Sequence, residues 1–409
     1  MIGRGDIGTR VSNSNQTKIS DGGFTADTEV LTADGPIQVA ELGTTDRVLA
    51  LNPTTKVVKP KSVVDVMVLN PPEEIISIKI RRSDIRVLPD HQIPYTTKGI
   101  SYPRFTRAAE LLDREYYRFI NSWRDLDGTR LPQVDITDIV SEFEACVAFD
   151  CHGHTVRRIL PDGCEPCRRN SHYGYFFDKE TFQTYQNELE ALGESVEIHA
   201  GRNHWRRPYR FDGDDFIEFL GWYITEGSVT WRRTNSATIQ IAQKTPEHRE
   251  QIENLLERMG LSEYSDDRSF SFSSTIYAEL LDQLCGIGSE NMHLPEFLWD
   301  CSAEQKRLML RTLVAGDGHE RGAYSTVSKR LVNDIVRLLV ELGIKPQYHW
   351  CRDSWRVSLS RMEDGFRSSQ NVSTVQTDNP VYRLTIEDFC LIMAGRNGKF
   401  QWIGVSNVN

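Results

Sequence analysis

The sequence predicts an α+β protein in which a β-rich domain is interrupted by a long insert of helices and strands. Short strand-like runs occur towards both ends of the chain, and between them the hydrophobic spacing changes to a helical one. The same order of elements then occurs twice, with acidic residues at equivalent points, positions 226 and 317. An internal repeat of this size is typical of a pseudo-twofold domain.

Composition limits the classes of protein that the chain can belong to. Its 409 residues are 39% hydrophobic and 26% charged, which is typical of a globular protein of two or three domains. The absence of a long apolar run or a signal-like N-terminus predicts a soluble, cytoplasmic protein with no membrane partner. A net charge of −10 disfavours a protein that coats nucleic acid indiscriminately, but it leaves room for a local basic groove.

The two ends of the chain predict one all-β domain. Residues 1–22 are rich in Gly, Ser, Asn and Thr and are expected to form a flexible arm. Residues 23–130 hold several short β-runs that are separated by turn signals such as Asp34-Gly and Asn52-Pro. Residues 375–409 return to β-like alternation, so we expect them to rejoin the first unit.

Residues 205–374 predict an αββα-type unit that is used twice. In the first half, an apolar helix from Asp214 ends at Gly227, and a hairpin pattern and another helix follow. In the second half the order repeats, and the first helix ends in Gly316-Asp-Gly. The other helices are predicted at Glu180–Leu192, Glu247–Met259, Glu304–Ala315 and Lys329–Leu342.

Two carboxylates at helix ends are the candidate catalytic residues. Glu226 and Asp317 each precede a glycine that can take the left-handed cap conformation. Negative charge is unfavourable there because the helix dipole is already negative at its C-terminus. If the two helices pack in parallel, the carboxylates meet and could hold Mg²⁺ for attack of water on a phosphodiester. The alternative is that each is an ordinary helix cap on the surface.

Phe219–Gly227 and Leu310–Gly318 resemble the paired motifs of the LAGLIDADG (DOD) homing endonucleases. The resemblance implies that these two helices form the interface of an αββαββα repeat and that Glu226 and Asp317 bind catalytic Mg²⁺. It also implies a monomer whose β-sheets form a saddle on double-stranded DNA and which cuts both strands of a long, specific site. The second motif departs from the family at Thr312, where a small residue is usual, so the closeness of the helices there stays open.

The flanking β segments resemble the Hint (protein-splicing) fold of inteins. The resemblance lies in three blocks, which begin at Gly23, Val87 and Val381. It implies that the Hint domain comprises residues 23–130 and 375–409 and surrounds the endonuclease, in a chain encoded by a prokaryote or a phage.

The residues that an intein needs for splicing are largely replaced. Gly23 stands where Cys or Ser would supply the first nucleophile, and Leu88 stands where the second block has Thr. His91 remains, either as a relic or as a polar core residue, and the chain closes with Asn407 or Asn409 in place of the usual His-Asn. We expect a scaffold that cannot splice by the usual route. The alternatives are a DNA-binding relic that does not cut and an active intein whose nucleophile was replaced artificially.

A cysteine cluster predicts a structural zinc site in an inserted module, residues 131–204. Its spacing is C-x2-H-x9-C-x2-C, which suits tetrahedral Zn²⁺ with sulfur and nitrogen ligands. Coincidental cysteines in a loop are the alternative, and His152 or His172 could replace the histidine ligand. The predicted ligands are Cys151, His154, Cys164 and Cys167.

Arginines near the module and the first acidic helix are candidate DNA contacts. Local basic stretches in an acidic chain favour phosphate binding, although the stretch after Gly201 could also be a solvated linker. A helper lysine in the active site could be Lys244 or Lys329, and each could equally be a surface charge at a helix start. The candidate DNA-binding residues are Arg157, Arg158, Arg168, Arg169, Arg202, Arg206, Arg207, Arg210, Arg232 and Arg233.

Overall fold

The computed structural model describes residues 22–97, 102–151, 153–199, 206–232, 236–261, 264–319, 322–359 and 365–408. Helices and strands are both abundant, as the sequence predicts. In this described part, no helix is long and apolar enough to cross a membrane.

The N-terminal region consists of short strands connected by tight turns. Strands such as Arg47–Leu51 bury a run of apolar residues, here the last four of the strand. The strands are β1 (Phe24–Thr25), β2 (Glu29–Thr32), β3 (Gly35–Gln38), β4 (Arg47–Leu51), β5 (Val58–Leu69), β6 (Glu74–Lys79), β7 (Asp84–Val87), β8 (Gln92–Tyr95), β9 (Arg104–Arg107) and β10 (Tyr116–Arg118).

A small module with its own sheet follows. Four of its strands pair in the order β13-β14-β12-β15. Helix α2 covers one face of this sheet with the buried side chains of Phe182 and Leu189. The elements are β11 (Gln133–Asp135), β12 (Glu144–Ala148), α1 (Gly153–Ile159), β13 (Arg168–Asn170), β14 (Gly174–Asp178), α2 (Lys179–Leu192) and β15 (Ser195–His199).

The first half of the repeat is built around an apolar helix, α3. The side chain of Asp212 starts this helix by accepting hydrogen bonds from the backbone N–H groups of Asp214 and Asp215. Most of α3 is buried because a sheet and another helix cover it. The elements are β16 (Arg210–Asp212), α3 (Gly213–Glu226), β17 (Gly227–Arg232), β18 (Ser236–Ala242), α4 (Pro246–Arg258), β19 (Tyr264–Ser265), β20 (Ser269–Ser273) and α5 (Thr275–Cys285).

The second half repeats the α-β-β-α-β-β order. Its first helix, α6, continues two residues beyond the predicted end at Ala315, so that Asp317 is its last residue. The strands of the two halves pair in similar ways, because Gly227 lies opposite Ile241 and Gly318 lies opposite Tyr324. The elements are α6 (Ala303–Asp317), β21 (Gly318–His319), β22 (Ala323–Thr326), α7 (Lys329–Glu341), β23 (Gln347–Cys351) and β24 (Ser354–Ser358).

The end of the chain returns to the N-terminal strands. Strand β27 lies between β5 and β1, and β28 pairs with β2 and β4. Among the described residues, the pairing of Gln347 with Lys399 joins the sheet of the second half to the β domain. The elements are β25 (Gly365–Arg367), α8 (Ser368–Asn371), β26 (Val372–Gln376), β27 (Val381–Glu387), β28 (Leu391–Arg396), β29 (Lys399–Gly404) and β30 (Ser406–Val408).

Candidate functional site

Helices α3 and α6 lie directly against each other. A Cβ atom on Gly221 would lie 2.8 Å from the Cβ of Thr312, and one on Gly316 would lie 2.3 Å from the Oγ1 of Thr225. Each contact therefore pairs a glycine of one helix with a threonine of the other, at repeat-equivalent positions. Thr312 does not separate the helices, because the glycine opposite it leaves room for its side chain.

The two candidate carboxylates end these adjacent helices. Glu226 is the last residue of α3 and Asp317 is the last residue of α6. The expected left-handed caps are wrong, since Gly227 and Gly318 have extended backbones with φ of −87° and −73°. The chain runs straight from each helix into a strand. Glycine is needed there because a Cβ would lie only 2.3 Å and 2.1 Å from the carbonyl oxygens of Tyr223 and Val314.

The negative charge of Glu226 acts on Asp317. Burial, together with the negative charge of Glu226, raises the pKa of Asp317 to about 6. Burial also raises the pKa of Glu226, against the opposing effects of a hydrogen bond from Gln243 and the nearby His248. A cation bound between Glu226 and Asp317 would relieve the repulsion of their negative charges, so this arrangement favours cation binding.

Gln243 orients Glu226, and sequence reasoning missed it. Its Nε2 donates to Glu226 Oε1 at 3.2 Å, while its Oε1 accepts from the backbone N–H groups of Lys244 and Thr245 at 2.8 and 2.9 Å. The side chain is buried. The available signal was its place directly after strand β18, which pairs with the strand that follows Glu226.

Tyr324 lies beside the same helix end. It is opposite Gly318 in the β21–β22 ladder and is 1% exposed. Its hydroxyl is buried and has no hydrogen-bond partner among the residues that the structure describes. Burial raises its pKa, and the negative charges of Asp317 and Glu226 raise it further.

The donor set fits a hard divalent cation. Mg²⁺ is usually held by one or two carboxylates, with waters and substrate phosphate completing the coordination. Within the described ranges, no group of three or more His, Cys, Asp or Glu side chains is arranged to hold a metal ion. The pair formed by Glu226 and Asp317 is therefore suited to an open magnesium site of this kind rather than to a closed cage.

The two candidate lysines lie in different surroundings. Lys244 is exposed and directly follows Gln243. The Nζ of Lys329 lies 3.9 Å from the centre of the Tyr348 ring, and burial lowers its pKa. Lys329 and Glu29 of the β domain line a cavity of about 550 Å³. Neither Glu226 nor Asp317 is among the described residues that line this cavity.

The sheets of the two halves have one apolar and one polar face. In the first half, Ile239, Ile241 and Phe272 are buried beneath the sheet. Strands β17 to β24 contain no Asp or Glu, although the whole chain has a net charge of −10. Alternation and register place these residues on the opposite, polar face: Ser228, Thr230, Arg232, Ser236, Thr238, Gln240 and Ser271 in the first half, and Ser325, Gln347, His349, Arg356 and Ser358 in the second.

Most of the candidate arginines in and just after the module are already engaged within the protein. Arg168 pairs with Glu144, Arg206 with Glu197, and Arg210 with Glu190 and Asp135. Arg169 lies over the ring of Tyr175, and Arg207 is buried and donates to the Ser273 carbonyl. Arg157 and Arg158 are exposed on α1, and Arg202 and Arg233 lie outside the described residues.

The four predicted zinc ligands lie in different settings. Cys151 is exposed just before α1, and His154 lies in the first turn of that helix. Cys164 is buried, whereas the Sγ of the exposed Cys167 lies 3.2 Å from the carbonyl oxygen of Phe176. In the described part of the chain, these four side chains do not form a group that could hold a metal ion, so the zinc site stays a prediction.

Two of the predicted splicing residues, His91 and Gly23, lie close together. His91 is 2% exposed, and its Nδ1 lies 2.4 Å from where a Cβ on Gly22 would be, beside Gly23. Burial lowers the pKa of His91 to about 4. Asn407 is in β30 and donates to the Asp388 carbonyl at 2.9 Å, while Asn409 lies outside the described residues.

Comparisons with known proteins match one family model to part of the chain and find several proteins with partial similarity. Residues 215–290 match the family model of the LAGLIDADG-like domain, so this part of the chain is a LAGLIDADG-like domain. The chain is 27% identical over 139 residues to a DNA polymerase of Thermococcus aggregans, a match that covers 32% of this chain and 8% of that protein. It is 36% identical over 70 residues to a DNA gyrase subunit of Mycobacterium kansasii, a match that covers 15% of this chain and 13% of that protein. The chain thus spans less than a sixth of the length of either relative.

Similar solved structures are inteins and an intein-like domain. The bacterial intein-like domain from Clostridium thermocellum has 27% sequence identity and a TM-score of 0.21, over 25% of this chain and 68% of that one. The AceL NrdHF class 3 split intein variant has 11% identity and a TM-score of 0.21, over 55% of this chain and 99% of that one.

Proposed function

We propose that this chain is a site-specific homing endonuclease that makes metal-dependent double-strand breaks in a long DNA target and is carried in a splicing-defective intein scaffold. The observation that carries the proposal is the pair of coupled carboxylates, Glu226 and Asp317, at the ends of two helices that pack through repeat-equivalent residues. An ordinary surface cap would not combine this effect of one carboxylate on the other with the symmetry of the repeat.

The pseudo-twofold arrangement matches the symmetry of a DNA duplex. The two strands of a duplex are related by local twofold axes, and proteins with matching symmetry bind such sites with one half on each half-site. One carboxylate at the end of each central helix therefore suits cleavage of both strands by a monomer. The halves are not identical, because Gln243 has Thr326 as its ladder equivalent, so we expect a target that is only partly palindromic.

Glu226 and Asp317 would hold catalytic Mg²⁺. The bound ion would neutralise phosphate charge and lower the pKa of a water molecule for in-line attack. The protein's own contribution is to hold the carboxylates rigidly at the helix junction and to keep Glu226 oriented through Gln243. Burial and the charge of Glu226 raise the pKa of Asp317, and a cation bound between the two carboxylates would oppose this effect by favouring the deprotonated form.

The polar faces of the two sheets are suited to reading DNA bases. Strands that present hydroxyl, amide and guanidinium groups can hydrogen-bond to base edges in the major groove. Arg232 and Arg356 supply the donors that best match guanine, one in each half. The lack of carboxylates in these strands avoids repulsion of the phosphate backbone.

The module of residues 131–204 has a supporting role in the proposal. If Cys151, His154, Cys164 and Cys167 close around Zn²⁺, the ion would be structural, because four protein ligands leave no open coordination position. Arg157 and Arg158 are exposed and suited to phosphate contact next to the main site. In the Hint scaffold, the absence of a nucleophile at Gly23 excludes the first acyl shift of splicing.

A cleavage selection followed by carboxylate variants tests the proposal. Incubation of the protein with Mg²⁺ and a random or genomic duplex library should yield one long cleavable sequence. On that sequence, Glu226→Gln and Asp317→Asn should each lower cleavage at least 100-fold while binding in a gel-shift assay survives. The matched control is Glu253→Gln, which removes an exposed carboxylate of α4 and should cut normally. A wild-type protein that binds the site without cutting would instead be a DNA-binding relic.

A further inference from the structure

The hairpins that follow the two acidic helix ends differ in length. Among the described residues, hairpin β17–β18 pairs six positions, Gly227–Arg232 with residues 236–241. Hairpin β21–β22 pairs two, Gly318–His319 with residues 323–324. Three residues of the sequence separate the paired strands of each hairpin, so the difference lies in the strands and not in the turns. At about 3.4 Å per residue, the first hairpin is longer by about 14 Å.

The additional length of the first hairpin carries polar side chains on the face that we assign to DNA. Alternate residues of a strand lie on the same face of a sheet. The polar-face residues that have no counterpart in the described, paired part of hairpin β21–β22 are Thr230, Arg232, Ser236 and Thr238. Thr230 and Arg232 are exposed. This end of the sheet is therefore accessible to a molecule that lies on the polar face.

The arginines on the two polar faces lie at unequal distances from the carboxylates. Gly227 and Gly318 are the residues that directly follow the two carboxylates. Arg232 lies five positions along β17 from Gly227, which is about 17 Å. Arg356 lies only one position, about 3 Å, from the row of paired residues that begins at Gly318, on the side away from the hairpin loop. Each half therefore presents a guanidinium group at a different place along its sheet.

We infer that Arg232 specifies a guanine near the outer end of one half-site, whereas Arg356 specifies a guanine near the centre of the other. This inference rests on the proposed endonuclease function. A two-stranded β-ribbon fits into the major groove, where arginine can donate two hydrogen bonds to guanine. Successive base pairs are about 3.4 Å apart along the duplex, so 17 Å corresponds to at most about five base pairs. The target therefore has half-sites of unequal length, and the longer one lies on the side of Glu226.

The test is substitution of every base pair of the selected site, with competition gel-shift assays in the absence of Mg²⁺. Arg232→Ala and Arg356→Ala should each lose discrimination at one base pair by about tenfold or more, as expected for loss of a bidentate base contact. The base pair affected by Arg232→Ala should lie in the other half-site and at least two base pairs farther from the centre. The control is Arg330→Ala, which removes an exposed arginine of α7 and should leave discrimination unchanged at every position.

A conservative variant separates base recognition from a contact to the phosphate backbone. Arg232→Lys keeps the charge but not the bidentate geometry, so it should lose the same discrimination while its affinity for unrelated DNA stays within threefold of the wild type. If Arg232 contacted phosphate instead, Arg232→Ala would weaken binding to all sequences alike and reduce its salt dependence.

That result, or two affected base pairs at equal distances from the centre, would overturn the inference. These assays measure binding only, so they can equally be performed on a site that is selected by binding. Failure of the wild type to cut any sequence would then refute the endonuclease proposal and leave the test of Arg232 and Arg356 intact.

Discussion

The contact between Gly221 and Thr312 makes a quantitative prediction about the helix interface. A Cβ on Gly221 would lie 2.8 Å from both the Cβ and the Cγ2 of Thr312. The Cβ is not a flexible end of the side chain, so the helices themselves must separate. Alanine is favoured over glycine inside a helix by about 1 kcal/mol, and overpacking of a core costs about 1–3 kcal/mol. The two effects oppose each other. At the upper end of the overpacking range, we therefore expect Gly221→Ala to lower the free energy of unfolding by about 2 kcal/mol.

The effect should also reach the carboxylates. Separation of α3 from α6 moves Glu226 away from Asp317, so cleavage should fall by at least tenfold. Unfolding is measured in urea by tryptophan fluorescence, for which Trp222 is a buried probe next to the substitution. Cleavage is measured on the selected DNA site.

Two matched variants sharpen this test. Gly221→Thr combined with Thr312→Gly exchanges the roles of repeat-equivalent positions, and we expect it to recover most of the stability. Gly43→Ala is the control, because a Cβ there would have no neighbour closer than 3.9 Å. The packing argument is refuted if Gly221→Ala is as stable as the wild type and cuts at the same rate.

Two further predictions concern the flanking domains. The pKa of His91 falls from an ordinary value of 6.5 to about 4 in the folded protein, so the unfolded state binds more protons between these values. The free energy of unfolding is therefore unaffected by His91 above pH 6.5. It decreases as the pH falls from 6.5 towards 4, by about 3 kcal/mol at most. Urea unfolding at pH 7 and pH 4.5 should show a smaller decrease for His91→Gln than for the wild type; equal decreases would contradict this. For the module, elemental analysis should find one zinc per chain and less than half of that in Cys164→Ser, with Cys285→Ser as the control. Less than one equivalent in the natively purified wild type counts against the site.

Local sequence patterns were sufficient to locate the helices of the repeat. The helices predicted at Glu247–Met259 and Lys329–Leu342 are found at Pro246–Arg258 and Lys329–Glu341. Amphipathic spacing and capping residues act over one or two turns, so a single segment contains the information. The resemblance of the first acidic motif to LAGLIDADG proteins is confirmed by the match at residues 215–290, and this motif lies almost entirely within one continuous helix. The second motif lies outside that match.

Sequence patterns were less able to predict features that depend on how the chain continues beyond a helix or strand. Gly227 and Gly318 were expected to take left-handed caps, but each leads directly into a strand that pairs with the next one. The sequence predicts a phosphate-binding strip of arginines around position 207, whereas Arg206 and Arg210 form ion pairs within the protein. Their partners are distant in sequence or belong to other strands, so charge counting along the chain did not reveal them.

By itself, the sequence determined the identities of Glu226 and Asp317, their positions at helix ends and their equivalence within a repeat. Only the tertiary structure decided that Gly221 accommodates Thr312 and that Gln243 orients Glu226. The physical reason is that periodicity records which face of an element is apolar. Which side chains meet across two elements depends on strand register and helix packing, and these arise from contacts distributed over the whole fold.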